Sequence, residues 1–185
     1  MPQKTKEEKR KNVIEVLNKA RAMELHAIMQ YMNQHYSLDD MDYGDLAAKI
    51  KLIAIDEMRH AEMFAERIKE LEGEPTAEPA AKTQKGQKVQ VLFKFDAGLE
   101  DNTIDTYNEF HLVCRDNGDS ISMKMFEAIM DDEQVHFNYF DNVHQHIEDL
   151  GETYLAQIAG TPSSTGQQPQ GFVIRQGGAG GQGGA

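Results

Sequence analysis

Asp56-Glu57-Met58-Arg59-His60 and Asp132-Glu133-Gln134-Val135-His136 share the form D-E-x-x-H. On a helix, a Glu and a His three positions apart lie one turn from each other on the same side. Two such helices facing each other aim two carboxylates and two imidazoles at one point. Mixed oxygen and nitrogen donors of that kind suit two iron or manganese ions. A spacing strengthens the reading. Glu24 precedes Glu57 by 33 positions, and Glu100 precedes Glu133 by 33. One Glu from each of two helices, plus Glu-x-x-His from each of two others, is the donor set of carboxylate di-metal bundles. A single Glu-x-x-His is a weak signal; two copies, each with a Glu at equal offset, form a strong one.

Glu24, Glu57, His60, Glu100, Glu133 and His136 are therefore read as one catalytic metal site. Four carboxylates balance the charge of two divalent ions, and neutral imidazoles complete coordination without upsetting that balance. Glu57 and Glu133 each stand beside a His and are the expected bridges. Glu24 and Glu100 are the expected terminal ligands. A metal-bound His usually gives its other N–H to a carboxylate. Asp132 is accordingly expected against His60, and Asp56 against His136. Tyr31 and Tyr107 read equally well as neighbours of the site or as core packing.

Four amphipathic helices must position these residues. Thr5 to Glu8 reads as a capping box opening a first helix to about Tyr36. Its seam of Val13, Leu17, Ala20, Glu24, Ala27 and Tyr31 is apolar except at Glu24. A polar turn, 37–44, precedes a second helix over about 45–72, with Glu57 and His60 in its seam. Gly73 suits a C-terminal cap. A long connection follows, 74–95, in which 89–93 reads as a short extended piece and Asp96 as the N-cap of the third helix. That helix runs to about Asn117 and turns Glu100, Ile104, Tyr107, His111 and Cys114 inward. Asp119 caps a fourth helix whose seam holds Glu133 and His136, and Gly151 ends it. Residues 153–159 suit a short fifth helix. The expectation is an all-α bundle over 1–160 and a flexible Gly/Gln-rich tail over 161–185.

Composition narrows the function. A net charge of -12 argues against nucleic acid as the main partner and suits a surface that attracts cations. The single cysteine, Cys114, excludes an internal disulfide and a multi-Cys metal site. No signal peptide or membrane span is legible, so a cytoplasmic location is expected.

The segments Ala22–Ile28, Ile55–Glu62, Asp132–His136 and Gly151–Ala159 resemble the bacterioferritins, the haem-containing ferritins. The resemblance covers roughly 8–160. It implies a ferritin-like four-helix bundle with one long crossover and a short fifth C-terminal helix. It implies iron storage and detoxification in a 24-subunit shell built from two-fold dimers. It also implies ferroxidase activity with dioxygen or hydrogen peroxide at a centre of two iron ions per subunit. A redox partner for iron release is a further implication. In this family a methionine from each of two subunits binds the haem iron, and Met58 is the matching residue. By spacing alone, Met58 only faces away from the seam, beside Ile55 and a second apolar stripe of Leu25, Ile28, Met29 and Met32. Leu52 stands where some relatives carry a histidine of an accessory iron site. The alternative function is a di-iron peroxidase or oxidase without mineral storage, against which the lone cysteine weighs. A DNA-shielding shell is a third reading. Relatives of that kind usually place the metal between subunits, whereas here all six candidate ligands come from one chain and no basic tail is legible.

Overall fold

The structure, a computed structural model, describes residues 5–166 and 170–175. It contains α1 (Lys6–Asp40), α2 (Gly44–Glu70), α3 (Val89–Asp116), α4 (Ser120–Leu150), α5 (Glu152–Ile158) and a last turn, α6 (Phe172–Arg175). α1 lies along α2, α3 lies along α4, and residues 71–88 carry the chain from one pair to the other. This is the expected all-α, ferritin-like bundle with one long crossover and a short fifth helix.

Several boundaries differ from the sequence reading. α1 runs past Tyr36 because its seam does not stop there: Leu38, seven residues after Tyr31, is fully buried. α3 begins at Val89, not after Asp96. Val89, Leu92 and Phe93 recur at helical spacing and are all buried. Burying that stripe outweighs the extended preference of the β-branched valines. Asp96 is thereby placed inside the bundle and accepts a hydrogen bond from Gln34 Nε2 at 2.7 Å. α2 stops before Gly73, and Glu72 takes the left-handed conformation there, at φ 62°.

The expected capping devices are present. Thr5 and Glu8 form the reciprocal capping box. Asp119 accepts from the Ile121 and Ser122 amides and is gripped by Arg67 of α2, with both oxygens at 2.9 Å. The start of α4 is thus tied to the end of α2. Gly151, at φ 51°, makes the sharp bend between α4 and α5 that a side chain would resist.

The crossover is fastened to α1. Asn18 accepts from the Thr76 amide, Ala22 O from the Ala80 amide, and Gln30 from the Gln84 amide. Pinning at several points satisfies backbone groups that a long loop would otherwise leave to water.

The core is divided. One apolar cluster gathers Leu38, Leu46, Ile50, Phe93, Phe140 and Val143. The other gathers Val13, Leu17, Phe64, Ile68, Phe126 and Ile129. Between them lies a layer of charged residues.

Candidate metal centre

All six seam residues meet in that layer. Glu24, Glu57, His60, Glu100, Glu133 and His136 are each 2% exposed or less. One oxygen or nitrogen from each of Glu24, Glu57, His60 and Glu133 lies within 4.8 Å of the others. The same holds for Glu57, Glu100, Glu133 and His136. Glu57 and Glu133 belong to both groups, as the bridging reading requires. Each group also takes one terminal Glu and one His, so the doubled sequence pattern becomes two half-sites.

The imidazoles are aimed. His60 Nδ1 is 3.1 Å from Glu57 Oε2 and 3.1 Å from Glu133 Oε1. His136 Nδ1 is 3.1 Å from Glu133 Oε2 and 3.2 Å from Glu57 Oε1. On the far side of each ring, His60 Nε2 is 3.3 Å from Asp132 and His136 Nε2 is 3.5 Å from Asp56. Asp56 and Asp132 thus stand where the sequence reading placed them. An imidazole that donates Nε2–H to an aspartate turns a bare lone pair on Nδ1 toward two carboxylates. A cation or a proton must lie between them. Apart from those Nδ1 atoms, the buried Glu57 Oε1 and Glu133 Oε1 have no hydrogen-bond partner. Buried carboxylates without donors are costly, and a metal ion removes that cost. This donor set fits a pair of iron ions.

The electrostatics of the layer agree. Burial, with the charges of Glu133 and Glu57, pushes the Glu24 carboxyl far above its usual range. Burial with the same two neighbours does this to Glu100. Burial alone would lower the two imidazoles. It is outweighed at His60 by Glu133 and at His136 by Glu57, so both rise well above the ordinary value. The metal-free centre therefore holds protons where metal ions would supply the positive charge.

Two tyrosines complete the layer. Tyr31 donates to Glu100 Oε1 at 2.5 Å, and Tyr107 donates to Glu24. Both are fully buried, and burial first, then the adjacent carboxylate, raises each phenol well above 10. They stay neutral donors, each bonded to one terminal glutamate.

Part of the Gly/Gln-rich tail is ordered against the bundle. Its residues 170–175 pack against α2 and α4 beside the site. Phe172 is 3% exposed, with its ring 4.8 Å from Tyr139 and 6.4 Å from His136. The Val173 amide donates to Asp56 Oδ2 at 2.9 Å. Burial would raise the Asp56 carboxyl, but hydrogen bonds from His136 and Val173 outweigh it and hold it low. The legible signal is a run of three apolar residues, Phe172-Val173-Ile174, in a stretch dominated by Gly and Gln. Residues 167–169 and 176–185 of the expected tail lie outside the described residues.

Met58 is 56% exposed, as its position off the seam requires. It lies in a shallow groove of about 580 Å³ lined with Leu25, Ile28, Ile55 and Ala65, with Arg21 and Arg59 at its border. Met29 of the second apolar stripe is also exposed, at 54%, whereas Met32 packs against the core. Among the described residues, no helix is long and apolar enough to cross a membrane.

Comparison with known proteins agrees with this architecture. Residues 14–150 match the ferritin-like domain family. The chain is 62% identical over 168 residues to the bacterioferritin of Desulfovibrio desulfuricans, covering 91% of this chain and 94% of that one. An X-ray structure of the Desulfovibrio desulfuricans bacterioferritin and its diiron site, in the form reduced in solution and allowed to reoxidise before crystallisation, matches with a TM-score of 0.88 at 61% identity. That match covers 92% of this chain and 100% of that one. The Mycobacterium tuberculosis bacterioferritin BfrA matches with a TM-score of 0.77 at 31% identity over 82% of this chain and 96% of that one. With the fold, the doubled Glu and Glu-x-x-His pattern and these likenesses in agreement, the chain belongs to the bacterioferritins of the ferritin-like family.

Proposed function

We propose that the protein stores and detoxifies iron, oxidising Fe(II) to Fe(III) at a pair of metal positions inside each bundle. The observation that carries this is the two overlapping four-residue groups, Glu24, Glu57, His60, Glu133 and Glu57, Glu100, Glu133, His136, all buried. The bacterioferritin relatives support the storage role.

Iron is the substrate here. Two Fe(II) ions displace the protons held on Glu24, Glu100 and the imidazoles. Glu57 and Glu133 bridge them, and Glu24 with His60, and Glu100 with His136, complete the two half-sites. Each Fe(II) gives up one electron. Two together reduce dioxygen and two protons to hydrogen peroxide, or hydrogen peroxide and two protons to two waters. The rise in metal charge is met by the two bridging carboxylates, whose Oε1 atoms face only the two imidazoles. Tyr31 and Tyr107 bind one oxygen of each terminal glutamate and leave the other to the metal. Asp56 and Asp132 hold the rings in orientation.

The Met58 groove fits a haem: an exposed thioether on a helix, apolar walls, and Arg21 and Arg59, with Glu62, at a polar border where propionates would lie. Met58 would hold the haem iron together with the same residue of a second subunit across a two-fold axis. When bound there, the haem supplies a one-electron redox group for exchange with a donor that releases stored iron. The assembly we propose is the family's 24-subunit shell, in the cytoplasm. Exposed Met29 and Met58 support a contact between subunits.

Aerobic loading with Fe(II), far beyond two ions per chain, followed by size-exclusion chromatography tests the reading. Protein, ferric iron and a haem absorption band should elute together at the size of a 24-subunit shell. A small oligomer retaining about two irons per chain would instead establish a di-iron oxidase without storage.

A further inference from the structure

The tail does more than end the chain. Beside the centre, α2 and α4 leave a cavity of about 480 Å³. It is bordered by Asp56, His60, Met63, Ile129 and Asp132, and it reaches the outer rim of the metal layer at His60. Val173 and Ile174 form part of its wall. The tail lies on the same face, with Phe172 against Tyr139 and near His136.

Three observations show that this seat is built for the segment. The Val173 amide donates to Asp56 Oδ2, the same oxygen that faces His136 Nε2. The other Asp56 oxygen is held by Arg59 Nη1 at 3.1 Å. Gly171 approaches so closely that a Cβ there would come within 1.5 Å of Asp56 Oδ1 and 2.6 Å of Arg59 Nη1. Only glycine fits. Phe172 and Val173 are 3% and 1% exposed, so the docking removes most of two apolar side chains from water. Burial of that much apolar surface is large enough to hold a short segment.

We propose that Gly171 to Ile174 is a cover over the α2–α4 mouth of the metal centre, and that it governs metal exchange through that mouth while fixing Asp56 against His136. Asp56 and the tail act here as positioning groups, not as ligands. The cover is short and anchored by few groups, so it can lift without disturbing the four long helices. With the cover seated, the His136 half-site is closed and the cavity beside His60 remains the opening. With it lifted, both half-sites face the cavity.

This inference rests on the site reading above, and its test separates the two. The probe is Co(II), loaded without oxygen onto the full chain, onto a chain ending at Gly166, and onto Gly171→Ala. Binding is read from the visible d–d absorption, and release from its decay after excess EDTA is mixed in. The full chain should bind two Co(II). In both variants release should be at least tenfold faster, with the d–d spectrum altered for one of the two ions, and unfolding curves should show an intact bundle. Phe172→Leu, which keeps an apolar anchor, should release at nearly the full-chain rate. Equal release rates and unchanged spectra in all forms would overturn the cover while leaving the site intact. A full chain that binds no Co(II) at the centre would overturn the site reading, and the cover with it.

Discussion

The two half-sites begin alike and end unlike. In each, a terminal glutamate takes a tyrosine O–H, a histidine turns Nδ1 inward, and an aspartate meets Nε2 from across the bundle. Their aspartates differ. The Asp132 side chain, beside His60, is 24% exposed. That of Asp56, beside His136, is 4% exposed, and it is also bonded to the Val173 amide and Arg59. The helices repeat a pattern, and a segment outside the repeat breaks its symmetry. An internally duplicated site therefore need not hold or release its two ions alike.

The largest expected effect falls on what the halves share. Glu57→Ala or Glu133→Ala removes a bridge from both, so two-metal binding and Fe(II) oxidation should fall by well over the roughly 100-fold upper cost of losing an outer partner. Isothermal titration with Co(II) and stopped-flow oxidation check this. A mutant that loses only one ion would show that the halves are independent. The next effect separates them. Asp56→Asn and Asp132→Asn should each weaken metal binding by roughly 10- to 100-fold, with Asp56→Asn the more severe because its carboxylate is buried among three partners. Equal losses would erase the asymmetry.

A pH series sharpens what the halves have in common. Glu24, Glu100, His60 and His136 all have folded pKa values raised above their unfolded ones. At these groups the folded, metal-free chain holds protons that the unfolded chain gives up. The stability they contribute should be fully present below their ordinary values and be lost as pH rises through the raised ones. Metal ions replace those protons, so the Tm of metal-loaded protein should change much less from pH 5 to 8, and loading should release protons into weak buffer. A metal-free Tm that rises over that range would contradict the assignment. The smallest effect belongs to the phenols. Tyr31→Phe and Tyr107→Phe each strip a donor from a buried glutamate, at a cost of about 1–3 kcal/mol in urea unfolding of the metal-free chain. Tyr107 also reaches Ala20 O at 3.3 Å, so its loss should be at least as large as that of Tyr31.

The six donors were legible because a charged residue in an apolar helical seam contradicts the seam unless something compensates it, and the equal offsets of 33 linked the copies. Asp56 and Asp132 were legible from adjacency to Glu57 and Glu133. Asp96 was not: an Asp before a helical run reads as a cap, and only the burial of Val89, Leu92 and Phe93 shows that the helix starts earlier. The tail was obscured by its composition, since Gly and Gln dominate the average while three apolar residues do the docking.

By itself, then, the sequence determined the four long helices in outline, the six polar residues of their inward faces and the outward position of Met58. These follow from periodicity, which is local. The tertiary structure alone decided that Tyr31 serves Glu100 and Tyr107 serves Glu24, that the crossover is fastened to α1, and that Gly171 to Ile174 lies against Asp56. Those pairings join residues up to 117 positions apart. Their partners are chosen by packed helices and by the space left between them, and no spacing along the chain encodes that space.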